Sequence, residues 1–313
     1  MPLDSITRLE AQATIPEDVA SVIIQDVPRA SVILGNPLVT RRVMSRKEHR
    51  MPILATLPNA YWVNGDDGVI DQTTQTWTNK TIEAEKLAVN VTIPRDVLDD
   101  SDYDLWAEIQ PRVSEAIGGA FDAAVLFGTN APASFPDDIV TSATSASQVV
   151  ADGTGDDIAA DINTAFGFVE DDGFAVNGVV SRQALKARLR GLRTEDGALV
   201  FQPGGVGIQN ASSDAPSVFG EPIIYSMNGA WDTSAALCVV GDWSQLYVGL
   251  RKDMTFERLT EATIGGVNLA ETDQVGIRVT FRAGWQVANP PTRENDDDAT
   301  RYPFAVVTPA ASS

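Results

Sequence analysis

The chain has 313 residues, 43% of them hydrophobic and 21% charged, with 43 acidic residues against 23 basic ones and a formal charge of −20. Six tryptophans and eleven phenylalanines supply material for a sizeable core, while so much negative charge disfavours phosphate-driven nucleic-acid binding and keeps a crowded protein in solution. A single cysteine, Cys238, excludes an intrachain disulfide, and with a single histidine, His49, it excludes a zinc site of nitrogen and sulfur ligands.

The opening residues, MPLDSITRLEAQATIPEDVAS, carry acids and no apolar run of signal-peptide length. No window reaches the ~18 apolar residues of a spanning helix, so a soluble cytoplasmic product without a membrane partner is expected. The spacing of Val19, Val22, Ile23 and Val27 predicts a short helix, opened by Pro16 with Glu17 and Asp18 in its first turn and ended at Pro28. Gly35, Asn36 and Pro37 interrupt any regular element. Arg41, Arg42, Arg46, Lys47 and Arg50 then concentrate five basic residues in ten positions. They form a solvated turn or a dock for the acidic surface of another copy. Residues 1–50 together read as an extended arm.

Residues 51–93 read as a long antiparallel hairpin with a loose tip. MPILATL and TIEAEKLAVNVTI are strand-like, the second alternating Leu87, Val89, Val91 and Ile93 with Ala88, Asn90 and Thr92. Between Tyr61-Trp62-Val63 and Trp77 the sequence is almost wholly polar. A lone two-stranded ribbon is marginal in water and leaves two edges unpaired. It must lie across its own chain or on another subunit.

The strongest helix signal runs from about 102 to 127. Ser101 or Asp102 can cap it, with Asp104 at capping-box spacing from Ser101. Leu105, Ile109, Val113, Ile117, Phe121 and Val125 recur every four residues, and Gly128 can end it. Pro111 should bend this helix or push its regular part downstream. Residues 129–155 read as a surface passage around one strand. DDIAADINTAFGFVEDDGF predicts an amphipathic helix, AVNGVVS a strand, and SRQALKARLRGLRTEDG a second helix capped by Ser181. ALVFQPGGVGIQNASSDAPS is a loop by composition. FGEPIIYSMN, AALCVVGDWSQLYVGLRKDMTFERLTEA and QVGIRVTFRAGWQVANP read as strands, TRENDDDATRYP as an exposed acidic turn, and FAVVTP as a final strand.

Chemistry-bearing motifs are missing. A serine–histidine–acid triad would have to use His49, in the basic arm, and no G-x-S-x-G elbow presents a serine. No G-x-x-x-x-G-K-[ST] occurs, and GGVGIQN lacks the last glycine of a dinucleotide fingerprint. DDSDYD spaces Asp100, Asp102 and Asp104 like calcium ligands, but Leu105 and Pro111 stand where the loop needs glycine and glutamate. No catalytic residue, metal ligand or cofactor is assigned, and an enzyme is not expected.

The order of these segments resembles the major capsid proteins of tailed double-stranded DNA phages, the Hong Kong 97-like fold. The resemblance spans nearly the whole chain. It is carried by VTIPRDVLDDSDYDLWAEI and the helix ending AFDAAVLFG, by the turn at Gly220–Pro222, and by Gly241–Asp242 followed by Gly249–Leu250–Arg251. It implies an α+β fold with residues 1–50 as N-terminal arm, 51–93 as extended loop, 94–155 and 251–313 as peripheral domain with a spine helix, and 156–250 as axial domain. It also implies pentamers and hexamers of this chain in an icosahedral shell, with portal and scaffolding proteins, a decoration protein, and packaged DNA bound without sequence specificity. Such a protein assembles in the host cytoplasm and ends in the virion. An encapsulin-like nanocompartment shares the fold and is the alternative.

Within that resemblance Trp62 and Trp77 are expected to anchor the loop on a neighbour, joined by Lys80 and by Arg41, Arg42, Arg46 and Lys47. Both tryptophans packing on their own chain is the competing expectation. Some members weld the shell by a lysine–asparagine isopeptide bond. Lys80 lies near the right region and Asn289 is an available amide, but neither matches that pattern closely. Because the arm begins almost at once, scaffolding is expected from a separate protein, or the chain is the mature form.

Overall fold

The computed structural model describes residues 31–63, 72–96, 105–192 and 217–310. The expected helix at 14–27, the capping residues Ser101, Asp102 and Asp104, and most of the loop at 198–217 lie outside them.

Two sheets share one principal core. The first has four strands in the order β1 (Thr40–Val43), β10 (Leu246–Leu259), β13 (Gln274–Val287) and β4 (Glu85–Pro94). β1 runs parallel to β10, and the other pairs are antiparallel. The period-two pattern read from β4 decides which face is buried. Leu87, Val89 and Val91 turn inward beside Ile277, Val279, Phe281 and Ala283 of β13, while Lys86, Ala88, Asn90 and Thr92 face out. The inward face meets helix α2 (Leu105–Phe127) through Val113, Ile117, Phe121 and Val125, the four-residue series predicted from sequence. α2 runs through Pro111 rather than starting beyond it. It ends at Gly128, whose φ of +66° costs glycine little. The Gly128 N–H donates to the Ala124 carbonyl and that of Thr129 to Ala123.

The second sheet has six strands, in the order β5 (Val149–Ala151), β14 (Phe304–Thr308), β9 (Cys238–Gly241), β6 (Gly178–Arg182), β8 (Glu221–Ser226) and β7 (Ser217–Val218). α4 (Ile158–Asp171) and α5 (Leu185–Gly191) belong to the core on one face through Ile158, Ile162, Val169, Leu185 and Leu189. The other face joins the α2 core through Val180, Val239, Phe304 and Val306. Strands covered on both sides need unbroken apolar runs, which CVV and FAVV supply.

Several elements differ from the sequence reading. A short helix, α3 (Ile139–Ser145), precedes β5 in what read as a surface passage. Asp138 caps it by accepting from Thr141 N at 2.8 Å, overcoming the weak helix preference of its serines and threonines. Ser181 caps nothing: it lies in β6, its hydroxyl donates to the Leu237 carbonyl at 2.7 Å, and α5 begins without a side-chain cap. The final strand does not return to the α2 sheet. It sits between β5 and β9, because Phe304, Ala305, Val306 and Val307 are all buried and demand a central place. The boundary expected at 250/251 falls inside β10. The acidic turn at 292–303 is not merely exposed: the guanidinium of Arg301 is buried and donates to the Asn289 carbonyl at 3.2 Å and to its side-chain oxygen at 3.1 Å.

Residues 31–44 are folded rather than extended. Ser31 caps the single turn α1 (Val32–Gly35), Ile33 is fully buried, and β1 completes the first sheet. The polar ribbon pairs β2 (Glu48–Thr56) with β3 (Thr76–Glu83). Its returning strand therefore ends before Ala84, and TIEAEKLAVNVTI divides between ribbon and body.

Candidate assembly interface

The ribbon crosses the four-stranded sheet at one point, and two glycines make that crossing possible. Gly249 of β10 and Gly284 of β13 face each other in register. A Cβ on Gly284 would run into the Glu83 carbonyl, and one on Gly249 into the Met44 side chain. On this bare floor Met44, Met51, Ile82 and Ala84 form a small core of their own. Lys80 Nζ donates to the Val287 carbonyl at 3.2 Å, and Lys47 pairs with Glu83 and with Glu85, the latter at 3.3 Å. Arg293 holds the outgoing strand through the Pro58 carbonyl at 2.7 Å and the Asn59 side chain at 3.0 Å.

Beyond this base the described ribbon residues around the aromatic side chains are exposed. Trp62 is 98% exposed and Trp77 66%, with Tyr61 and Val63 also open to solvent. The expectation that both tryptophans pack on their own chain is therefore not met. Indole surface left in water is costly, at about 25 cal/mol per Å². The basic run divides. Arg41 donates to the Asn36 carbonyl at 3.0 Å, Arg42 lies over the Tyr247 ring at 5.5 Å, and Lys47 is paired as above. Arg46 is exposed and makes no ion pair among the described residues. Glu83 and Glu85 raise the pKa of the exposed Lys47, chiefly through their hydrogen bonds, whereas burial lowers that of Lys80. Lys80 and Asn289 both have partners in their own chain. The Asn289 amide nitrogen donates to the Arg301 carbonyl at 2.9 Å.

A second anchoring point escaped the sequence reading. Asp122 of α2 is buried and accepts from Ser31 Oγ at 2.5 Å, Val32 N at 2.7 Å, Ile33 N at 3.1 Å and Asn228 Nδ2 at 2.6 Å. It pins the start of α1, where the chain arrives from residues 1–30, to the long helix. Burial raises its pKa, opposed by those four donors. An acid among the apolar residues of AFDAAVLF was the available signal.

Among the described residues no group of three potential metal-binding side chains gathers, and no helix is long and apolar enough to cross a membrane. What the described surface presents is an under-supported ribbon with exposed indoles, attached to a two-sheet body.

The sequence matches the phage capsid family over residues 11–291. The major capsid protein of Staphylococcus phage 80alpha is 26% identical over 285 residues, covering 88% of this chain and 82% of that protein. A solved structure from Microbacterium phage Oxtober96 is 38% identical, covers 99% of this chain and 95% of its own, and superposes with a TM-score of 0.79. One from Mycobacterium phage Cain is 30% identical, with 99% and 100% coverage and the same TM-score. The capsid of a GTA particle, 16% identical at a TM-score of 0.64 over 99% of this chain and 95% of its own, shares the fold. The chain belongs to the phage capsid family.

Proposed function

We infer that the chain works as a structural subunit and not as a catalyst. It is a major capsid protein, a virion component whose copies build an icosahedral phage shell. We propose a finer anatomy that the two-sheet fold supports. The four-stranded sheet with α2 serves as the peripheral domain and α2 as its spine. The six-stranded sheet with α4 and α5 serves as the axial domain, meeting its copies around the five-fold and six-fold positions. The N-terminal arm and the ribbon reach neighbouring subunits, Trp62 and Trp77 supplying apolar contact and Arg46 a charge for an acidic neighbour. Assembly takes place in the host cytoplasm with portal and scaffolding proteins, and the interior holds DNA without reading its sequence. Rings of such heterologous contacts close into pentamers and hexamers.

The observation that carries this reading is the ribbon, whose base is clamped while its outer half leaves Trp62 98% exposed. The full chain, expressed alone and examined by size-exclusion chromatography and negative-stain microscopy, is expected to give capsomers or closed shells. A compact monomer at every concentration, with and without a scaffolding protein, would refute it.

A further inference from the structure

The outward face of the four-stranded sheet carries a basic groove in a protein of charge −20. Lys86 of β4, Arg282 of β13 and Lys252 of β10 lie in one row across three strands, Arg282 being the register partner of both lysines. Irregularities in the β10 register on both sides of Lys252 set it opposite Arg282. Arg278, paired with Glu257, extends the row, and the hydroxyls of Thr255 and Thr280, 2.6 Å apart, line the rest. The groove encloses about 240 Å³. Lys86, Lys252 and Arg282 make no ion pair among the described residues, and like charges placed directly across strands repel. The arrangement is unfavourable until an anion sits in it.

We propose that this groove seats carboxylates of a second copy of the chain, supplied by the exposed acidic run around Glu294, Asp296 and Asp297. This rests on the reading of the protein as a self-assembling shell subunit. The run is the densest acidic stretch on the described surface, with four acids in five residues. Thr292 and Asn295 tie it to Asp172 beside the six-stranded sheet, and its carboxylates make no ion pair with the groove of their own chain. Carboxylates suit the groove better than a nucleic-acid backbone does. Glu257 stands within it, the row is only three unpaired cations long, and the surrounding −20 charge repels polyphosphate. Contacts of this kind let strongly acidic subunits approach one another, and they weaken with salt.

The test is a charge exchange in the full chain. Lys86→Glu/Arg282→Glu and Asp296→Lys/Asp297→Lys are each expected to lower particle yield about tenfold while leaving the subunit's circular dichroism unchanged; all four substitutions in one chain are expected to restore it to within about twofold. The neutral pair Lys86→Gln/Arg282→Gln should give an intermediate yield. Wild-type yield from both groove variants would sink the groove while the shell reading stands. Failure of the fourfold variant to recover overturns the assignment to the acidic run. Normal assembly by groove variants that retain less of a DNA duplex on a filter would make phosphate the partner instead. A wild-type chain that never assembles fails both readings at once.

Discussion

At the scale of single residues, burial decides the chemistry. Cys238 is fully buried, and desolvation pushes its thiol up from 9.0 to about 12. Tyr302 is raised for the same reason. An acid whose folded pKa exceeds its unfolded value contributes no penalty while both states are protonated. The native state loses stability where only the unfolded chain ionises. Subunit stability is therefore expected to fall from about pH 9 to 12 through Cys238 and from about pH 10 upward through Tyr302, by about 1.4 kcal/mol per pH unit for each group. Urea titrations across that range check it, and flat stability would contradict it. A thiol reagent at neutral pH should label Cys238 only after unfolding. Asp122→Ala would strand Ser31, two backbone N–H groups and Asn228, a loss of about 3 kcal/mol, and should open residues 31–36 to proteolysis. Unchanged protease resistance would show that another contact holds α1.

Among the elements, legibility followed local pattern. α2 was readable because a four-residue apolar repeat and a terminal glycine are both contained in one stretch of sequence. The alternation along β4 is equally plain, yet it does not specify that β4 pairs with β13. Nothing local distinguishes a strand that turns back on β2 from one that joins β13, and Ala84, where the chain changes sheets, is unremarkable in type. α3 is not legible in the sequence because its stability comes from one aspartate cap and two buried residues, Ile139 and Ala143, rather than from helix-forming side chains. The exposed tryptophans were found as residues, whereas Asp122 and the row of Lys86, Lys252 and Arg282 exist only through contacts between distant segments. The glycine floor under the ribbon is of the same kind. Gly284→Val is expected to unseat β3 and expose Ile82, read as faster hydrogen exchange over 76–84, while Trp62→Ala should move subunit stability by less than about 0.5 kcal/mol and reduce assembly instead. Trp62→Ala assembling as wild type would remove that indole from the contact.

For the whole molecule, the division between a clamped ribbon base and the exposed side chains of Trp62 and Trp77 matters most. The base is fixed by Lys80, Lys47, Arg293 and a buried methionine cluster, so its direction relative to the body is set before any neighbour arrives. A closed icosahedron asks identical chains to occupy places of unequal curvature. A base held in this way is expected to leave that accommodation to the exposed ribbon residues beyond Asn59 and to spare both sheets. Copies at vertex and facet are then expected to differ mainly around Trp62 and Trp77, and a substitution at these indoles should shift the distribution of particle diameters without altering the melting of an isolated subunit.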